Sequence, residues 1–171
     1  MAYQDENVLA SLEVDRSALK DYEEKVSIEQ SAMSTWLDKE LFTPIDAAGA
    51  ATTQEAYEAA YDKVFEALSE LNASLGQRKY LTGDKITDAD IRLYSVLVRF
   101  DSIFFFAYRL NRHKITHYRN LFHYAKKLYH MEAFKKVTDF EAIKRSYYEG
   151  QTDEQNPYHI VMIGPDMSAW D

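Results

Sequence analysis

Apolar positions along the chain recur mostly at helical spacing. Over residues 8–42, Leu12, Leu19, Tyr22, Val26, Met33, Trp36, Leu37 and Leu41 make a stripe on one helix face. Pro44 is expected to end that helix, with "IDAAGA" following as a Gly/Ala loop. A second stripe runs from Ala56 through Tyr57, Ala60, Tyr61, Val64, Phe65, Leu68 and Leu71 to Leu75. It predicts a long helix capped by Thr52 or Thr53 and stopped by Gly76. The stretch "TGDKITDADIRLYSVLVRFD" then carries a dense set of start signals. Gly83 and Asp84 supply a turn, Thr87 and Asp90 have capping-box spacing, and Ile86 and Ile91 bracket them as a hydrophobic staple. From Ile91 to Tyr108 only Arg92, Arg99 and Asp101 are charged, the pattern of a core helix apolar on nearly all sides. The uncharged run over 102–108 falls far short of the roughly 20 residues a bilayer requires, so no membrane span is expected.

After the polar turn "NRHKIT", the spacing predicts helices over about 117–130, 132–137 and 140–148. The tail "EGQTDEQNPYHIVMIGPDMSAWD" breaks the pattern, because Gly150 and Pro157 oppose a helix across it and "HIVMIGP" is a short extended apolar run. With no internal repeat and no strand–helix alternation, the expected fold is all-α: one domain, a bundle of about six helices with an extended C-terminal tail. Its parts are a lead-in and first helix over 1–32, a helical core over 33–149 and a tail over 150–171.

Composition narrows the chemistry. The 171 residues contain no Cys, which removes disulfides, thiolate metal sites and a cysteine nucleophile from this chain. Residues 1–25 are polar and acidic with no apolar signal core, so a cytoplasmic location is expected. The net charge of −8 is unevenly spread: residues 109–145 carry ten Lys and Arg against three Asp and Glu, a local +7. That block reads as an anion-binding face or as solvated helix faces. Its helical spacing and the acidity of the whole favour the second, and no nucleic-acid partner is expected.

Candidate sites are few. His113 and His117 lie four apart but no third ligand is placed nearby, and His123 and His130 read as one polar face, so no metal is expected. Ser, His and Asp occur in no recognisable triad order, and no phosphate loop is present. Tyr147 and Tyr148, adjacent at a helix end beside Lys144 and Arg145, can hydrogen-bond and stack an aromatic ligand; the alternative is one core tyrosine and one solvent tyrosine.

The motif "LTGDKITDADIRLYSVLVRFD" resembles the most constant part of the glutathione transferase helical domain. "ATTQEAYEAAYDKVFEAL", "ITDADIRLYSVLVRFD", "HYRNLFHYAKKLY", "FEAIKRSYYEG" and "NPYHIVMIGP" follow in the order seen in the xi class, the glutathionyl-hydroquinone reductases. The resemblance spans about residues 33–165. It implies a glutathione transferase C-terminal-like bundle that supplies the pocket for an aromatic, quinone-type acceptor and the surface for a homodimer. It also implies a preceding thioredoxin-like domain, absent from these 171 residues, carrying the glutathione co-substrate and the cysteine that removes glutathione from a glutathionyl-hydroquinone. That domain is expected as a missing half or as a partner chain, and no catalytic residue is assigned to this chain.

Carried over position by position, the family's "KRHYYG" phenols match Tyr147 and Tyr148, with Ser146 in place of His. They are expected to hydrogen-bond a hydroquinone oxygen, while Phe104 and Tyr108 line the slot. The family's "RFDxVYxxHFKCN" is "RFDSIFFFAYRLN" here: Arg99, Asp101 and Asn111 are kept, but Phe104 replaces Tyr, Ala107 replaces His and Leu110 replaces Cys. "VYxAGFATTQ" becomes "IDAAGAATTQ", which puts Asp46 where a substrate-facing Tyr stands. These changes, with the absent cysteine, keep a second reading in view: a non-enzymatic binding or dimerisation module. In either reading Thr87 and Asp90 are a folding device, and losing the Asp90 side chain is expected to cost ~1–2 kcal/mol.

Overall fold

A computed structural model describes residues 16–171. Leu12 and the side chain of Leu19 lie outside what it describes. Helix α1 (Arg16–Leu37), a π-helical turn (Asp38–Phe42) and α2 (Thr43–Ala50) form one continuous run. Helix α3 (Gln54–Leu75) packs back along α2. A loop then leads to α4 (Asp88–Arg99), which continues through a second π-helical turn (Phe100–Phe104) into the short α5 (Phe105–Ala107). After a 3-10 turn (Ile115–His117) come α6 (Arg119–Tyr129), α7 (Glu132–Lys135) and α8 (Phe140–Glu149). No strand occurs among the described residues, only an isolated bridge between Tyr80 and Gly83. No helix of the described residues is long and apolar enough to cross a membrane.

The first helical run departs from the sequence expectation in three ways. Pro44 does not end it: the proline sits in the first turn of α2, directly after the π turn, and the helical run continues through it. "IDAAGA" is therefore helix, not loop. Tyr22 is also not part of a buried stripe, since it and Ile28 are each 62% exposed; the burial along α1 begins near Met33 and reaches Leu37, fully buried. Helix α3 follows expectation more closely. Thr53 Oγ1 accepts from the Ala56 N–H at 3.2 Å, and the face from Ala60 through Val64 and Leu68 to Leu75 is buried. Ala56 lies outside that buried face.

Asp90 explains why α4 begins so firmly. Its Oδ2 accepts from both the N–H and the Oγ1–H of Thr87 at 2.9 Å, which closes the capping box. Its Oδ1 accepts from the Leu81 N–H at 3.0 Å and from the Tyr124 hydroxyl at 2.8 Å. One fully buried carboxylate thus ties the loop, the start of α4 and the middle of α6 together. Burial and the adjacent Asp90 carboxylate push the Tyr124 phenol far up, so it stays a neutral donor. The expected staple is only half made: Ile86 packs on the core, but Ile91 is 50% exposed. Helix α4 is likewise not apolar and buried all round, because Ile91 and Ser95 face an open groove toward α7.

A second buried carboxylate, Asp101, lies in the π turn after α4 and accepts from the Ile115 N–H at 2.9 Å, holding the following loop down. Burial raises its pKa above the usual carboxylate value; the Ile115 N–H and the Lys114 charge only partly oppose this. The folded protein therefore binds this proton more tightly than the unfolded chain. Stability assigned to Asp101 is greatest when it is protonated and falls as pH rises from the unfolded pKa through the raised folded one. Asp101→Asn should match wild type near pH 4 in thermal melts and gain relative stability as pH rises to 7. A difference that stays constant with pH would show that Asp101 is not the linked group.

The tail is strapped across the bundle at two places. Trp170, 1% exposed, is wedged among Phe122, Phe140 and Tyr129 with ring centroids 5.3, 5.4 and 6.0 Å away. Lys144 is buried on α8, and its Nζ donates to the Ile163 carbonyl at 2.7 Å and to Glu141 at 2.8 Å. That cation is satisfied by the tail it holds, as a buried charge must be.

Candidate functional site

The two π turns set the direction of the helices that leave them. A π turn adds a residue to the helical repeat and so re-aims the side chains beyond it. Past the first, α2 presents Asp46 and Gly49; past the second, α5 ends at Tyr108. These meet Tyr147 and Tyr148 of α8 in a cleft of about 760 Å³. Its mouth is formed by the tail, through Gln155, Asn156 and Ile160. Asn156 fixes that mouth: its side-chain amide donates to the Tyr148 carbonyl at 3.2 Å and the Ile160 carbonyl at 3.0 Å, and its oxygen accepts from the Ile160 N–H at 3.1 Å.

Tyr108 is held from three sides. Its ring lies on Gly49, where a Cβ would sit 2.7–2.9 Å from ring atoms including Cγ, so the helix can approach only because that side chain is missing. Phe104 stands behind it with centroids 5.1 Å apart, and Tyr147 faces it at 6.4 Å, 62° between planes. The next residue, Arg109, turns the chain out of the helix at φ 60, and the Tyr57 hydroxyl locks that turn by donating to the Arg109 carbonyl at 2.6 Å. A non-glycine residue in this conformation costs on the order of 1 kcal/mol. Burial, then the Tyr147 phenol and the Asp46 carboxylate, raises the Tyr108 pKa.

The paired tyrosines divide the work between them. Their rings are perpendicular with centroids 5.0 Å apart. Tyr148 is 7% exposed, its hydroxyl turned inward to the Ser102 carbonyl at 3.4 Å, and burial with the Tyr147 phenol beside it pushes its pKa up to about 12. Tyr147 is only partly buried and leaves its ring at the cleft. Phenols of this kind serve as hydrogen-bond groups, not bases.

Of the four residues singled out from sequence, the structure gathers Tyr108, Tyr147 and Tyr148 at the cleft wall. Phe104 is set behind Tyr108 and does not line the cleft, because the π turn that contains it rotates its ring toward Phe100 and the core. Two contributors escape the sequence. Gly49 lies in a segment that reads as a loop, so its close approach to the Tyr108 ring becomes visible only once α2 is in place. The tail residues Asn156 and Ile160 lie in the motif "NPYHIVMIGP", but nothing in their local pattern shows that they reach the cleft. His113 and His117 stack face to face, centroids 3.8 Å apart and planes 8° apart, with His113 edge-on to Phe65. The His113 pKa is lowered by desolvation and by its His117 and Arg112 neighbours. Among the described residues no group of three or more His, Cys, Asp or Glu is placed to hold a metal.

Comparison with known proteins gives a consistent picture. The family described as glutathione S-transferase, C-terminal domain, matches residues 54–127. Glutathionyl-hydroquinone reductase YqjG of Escherichia coli (strain K12) is 38% identical over 133 residues, covering 78% of this chain and 40% of that protein. Among solved structures, a glutathione transferase from Gordonia bronchialis superposes with a TM-score of 0.80 at 38% identity, over 86% of this chain and 46% of that one. The xi glutathione S-transferase of Phanerochaete chrysosporium superposes with a TM-score of 0.76 at 36% identity, over 83% and 48%. The chain thus spans less than half the length of the proteins it matches. Residues 54–127 belong to the glutathione S-transferase C-terminal domain family, and the chain is similar to xi-class glutathione transferases and glutathionyl-hydroquinone reductases.

Proposed function

We propose that this domain supplies the acceptor half of a glutathione-dependent hydroquinone reductase: the cleft between α2, α5, α8 and the tail receives an aromatic diol. The observation that carries the reading is the convergence of Tyr108, Tyr147 and Tyr148 on one cleft, with Gly49 admitting the Tyr108 ring. Tyr108 and Tyr148 offer ring faces and edges to an aromatic ligand, and the Tyr147 phenol hydrogen-bonds a hydroquinone oxygen. When the carbon–sulfur bond of a glutathionyl-hydroquinone opens, electron density returns to the ring and its oxygens, and a phenol donating to one of them stabilises that charge. The thiol that takes the glutathionyl sulfur, and the glutathione that regenerates it, belong to a thioredoxin-like domain or chain, since these 171 residues contain no cysteine. A homodimer through the helical domain is part of the same proposal, and a monomer at micromolar concentration by light scattering would count against it.

Asp46 sets the specificity. It is the one charged side chain at the cleft, and no Lys, Arg or His lines the cavity among the described residues. Neutral diols are therefore favoured over aromatic carboxylates or sulfonates. Asp46→Asn is expected to improve binding of an anionic naphthohydroquinone by several-fold while leaving menadiol within about twofold, since one surface charge pair is worth ~1 kcal/mol or less. Equal effects on both ligands would remove Asp46 from the selectivity.

The direct test is titration of menadiol into the intact chain and its Tyr147→Phe and Tyr148→Phe variants. Loss of one ligand hydrogen bond in Tyr147→Phe should weaken binding about tenfold, with a smaller change for Tyr148→Phe, whose hydroxyl points inward. If both variants bind as wild type does, the assignment is wrong. If the wild type binds neither menadiol nor glutathione, the non-enzymatic module is the better reading; the replacements at Asp46, Phe104, Ala107 and Leu110 are what favour it.

A further inference from the structure

We propose that a second concavity, between the C-terminal end of α3 and the start of α6, is an anion site for a compact multivalent oxyanion of the oligophosphate class. The site is independent of the acceptor cleft. The concavity measures about 490 Å³, and Arg78, Lys79, Arg119, His123 and Lys127 line it with no acidic side chain among them. The Lys79 and Lys127 Nζ atoms stand 5.5 and 5.1 Å from the centroid of one ring, that of Tyr80, so two cations from separate segments converge there.

Among the described residues these cations lack the carboxylate partners that several other basic side chains have. Arg112 pairs with Asp62, Lys136 with Glu132, Lys144 with Glu141 and Arg145 with Glu149. Arg78, Lys79, Arg119 and Lys127 have no carboxylate within 4.0 Å among the described residues. Four like charges gathered without a counter-charge repel one another, in a chain whose net charge is −8 and which has carboxylates to spare. A multivalent anion relieves that repulsion. The arginine forks match phosphate oxygens two at a time, and the lysines add point charge.

Several features restrict the ligand. Two of the first N–H groups of α6 are already taken, because Asn72 Oδ1 accepts from the Asn120 and Leu121 amides at 2.9 and 3.1 Å; recognition rests mainly on side chains. Tyr80 is 5% exposed, so its ring offers no platform for a nucleobase. The cations surround one concavity and do not form a stripe, which suits a compact anion better than a nucleic-acid backbone.

The test is calorimetric titration of the intact chain with tripolyphosphate at low ionic strength, and in parallel with ATP and a short DNA duplex. The expected result is one saturable tripolyphosphate site that weakens steeply with added salt. ATP should bind within a few-fold of it, since free and esterified oligophosphate present the same oxygens. The double variant Arg119→Gln, Lys127→Gln should weaken binding at least about tenfold, the loss expected for two charge-assisted contacts. Lys63→Gln, an exposed lysine of α3 outside the concavity, should bind as wild type does. Absence of saturable binding would overturn the proposal, as would equal losses in the double variant and Lys63→Gln. Duplex binding tighter than tripolyphosphate, or ATP binding far tighter, would overturn it too. Melting temperatures of both variants near that of wild type would show that any loss is not unfolding.

Discussion

Asp90→Ala is expected to destabilise the domain by about 3–5 kcal/mol and to lower its melting temperature by roughly 10 °C. The carboxylate is fully buried and accepts four hydrogen bonds, from the Leu81 N–H, the Thr87 N–H and hydroxyl, and the Tyr124 hydroxyl. Alanine leaves the Leu81 amide and the Tyr124 phenol buried without a partner, and each such orphan costs ~1–3 kcal/mol. The fold otherwise has no buried side-chain nitrogen or oxygen lacking a partner among the described residues, so there is no spare acceptor to take over. Tyr124→Phe removes one donor and leaves one acceptor lone pair, a smaller loss of about 1 kcal/mol. Thermal or urea unfolding of the two variants checks the order. A loss for Asp90→Ala no larger than a lone helix cap, ~1 kcal/mol, would show that the two long-range bonds contribute nothing.

Gly49→Ala should abolish most acceptor binding, weakening menadiol at least about tenfold, while costing the fold far less than Asp90→Ala. The new Cβ would lie 2.7–2.9 Å from Cδ2, Cε2 and Cγ of Tyr108, and because Cγ is the ring's attachment point the whole ring must swing away from α2. It is backed by Phe104 and faced by Tyr147, which leaves the cleft as the open direction. The displaced ring would then occupy space meant for a ligand. Alanine is also a better helix former than glycine by ~1 kcal/mol, which offsets part of the strain inside α2. A titration together with a melt separates the two effects. Unchanged menadiol affinity would show that Tyr108 does not shape the site.

These two residues also show what the sequence could and could not say. The capping box was legible because Thr87 and Asp90 are three apart beside a strong apolar run, and that periodicity also marked α3, α6 and α8. The remaining half of Asp90's role was not, since Leu81 lies nine residues back and Tyr124 lies 34 ahead, and only the fold brings them to one carboxylate. The sequence-based expectation of ~1–2 kcal/mol counts the box and leaves out that clamp. Both π turns were invisible for a related reason: "DKELF" and "FDSIF" fit an ordinary helical repeat, and the extra residue is fixed by what each rod packs against. That local change carried Pro44 into a helix start, turned an expected loop into α2, and set Phe104 behind Tyr108. The tyrosine pair was placed by family resemblance; which of the two turns inward required the Ser102 carbonyl across the bundle.

Whether this cleft receives an aromatic acceptor is decided by calorimetric titration of menadiol into the intact wild-type chain and Gly49→Ala, without glutathione. One saturable site is expected for wild type, weakened at least about tenfold in Gly49→Ala at a nearly unchanged melting temperature. Absence of saturable binding in a folded wild-type chain, or equal binding by both proteins, would contradict the assignment of this cleft as an acceptor site.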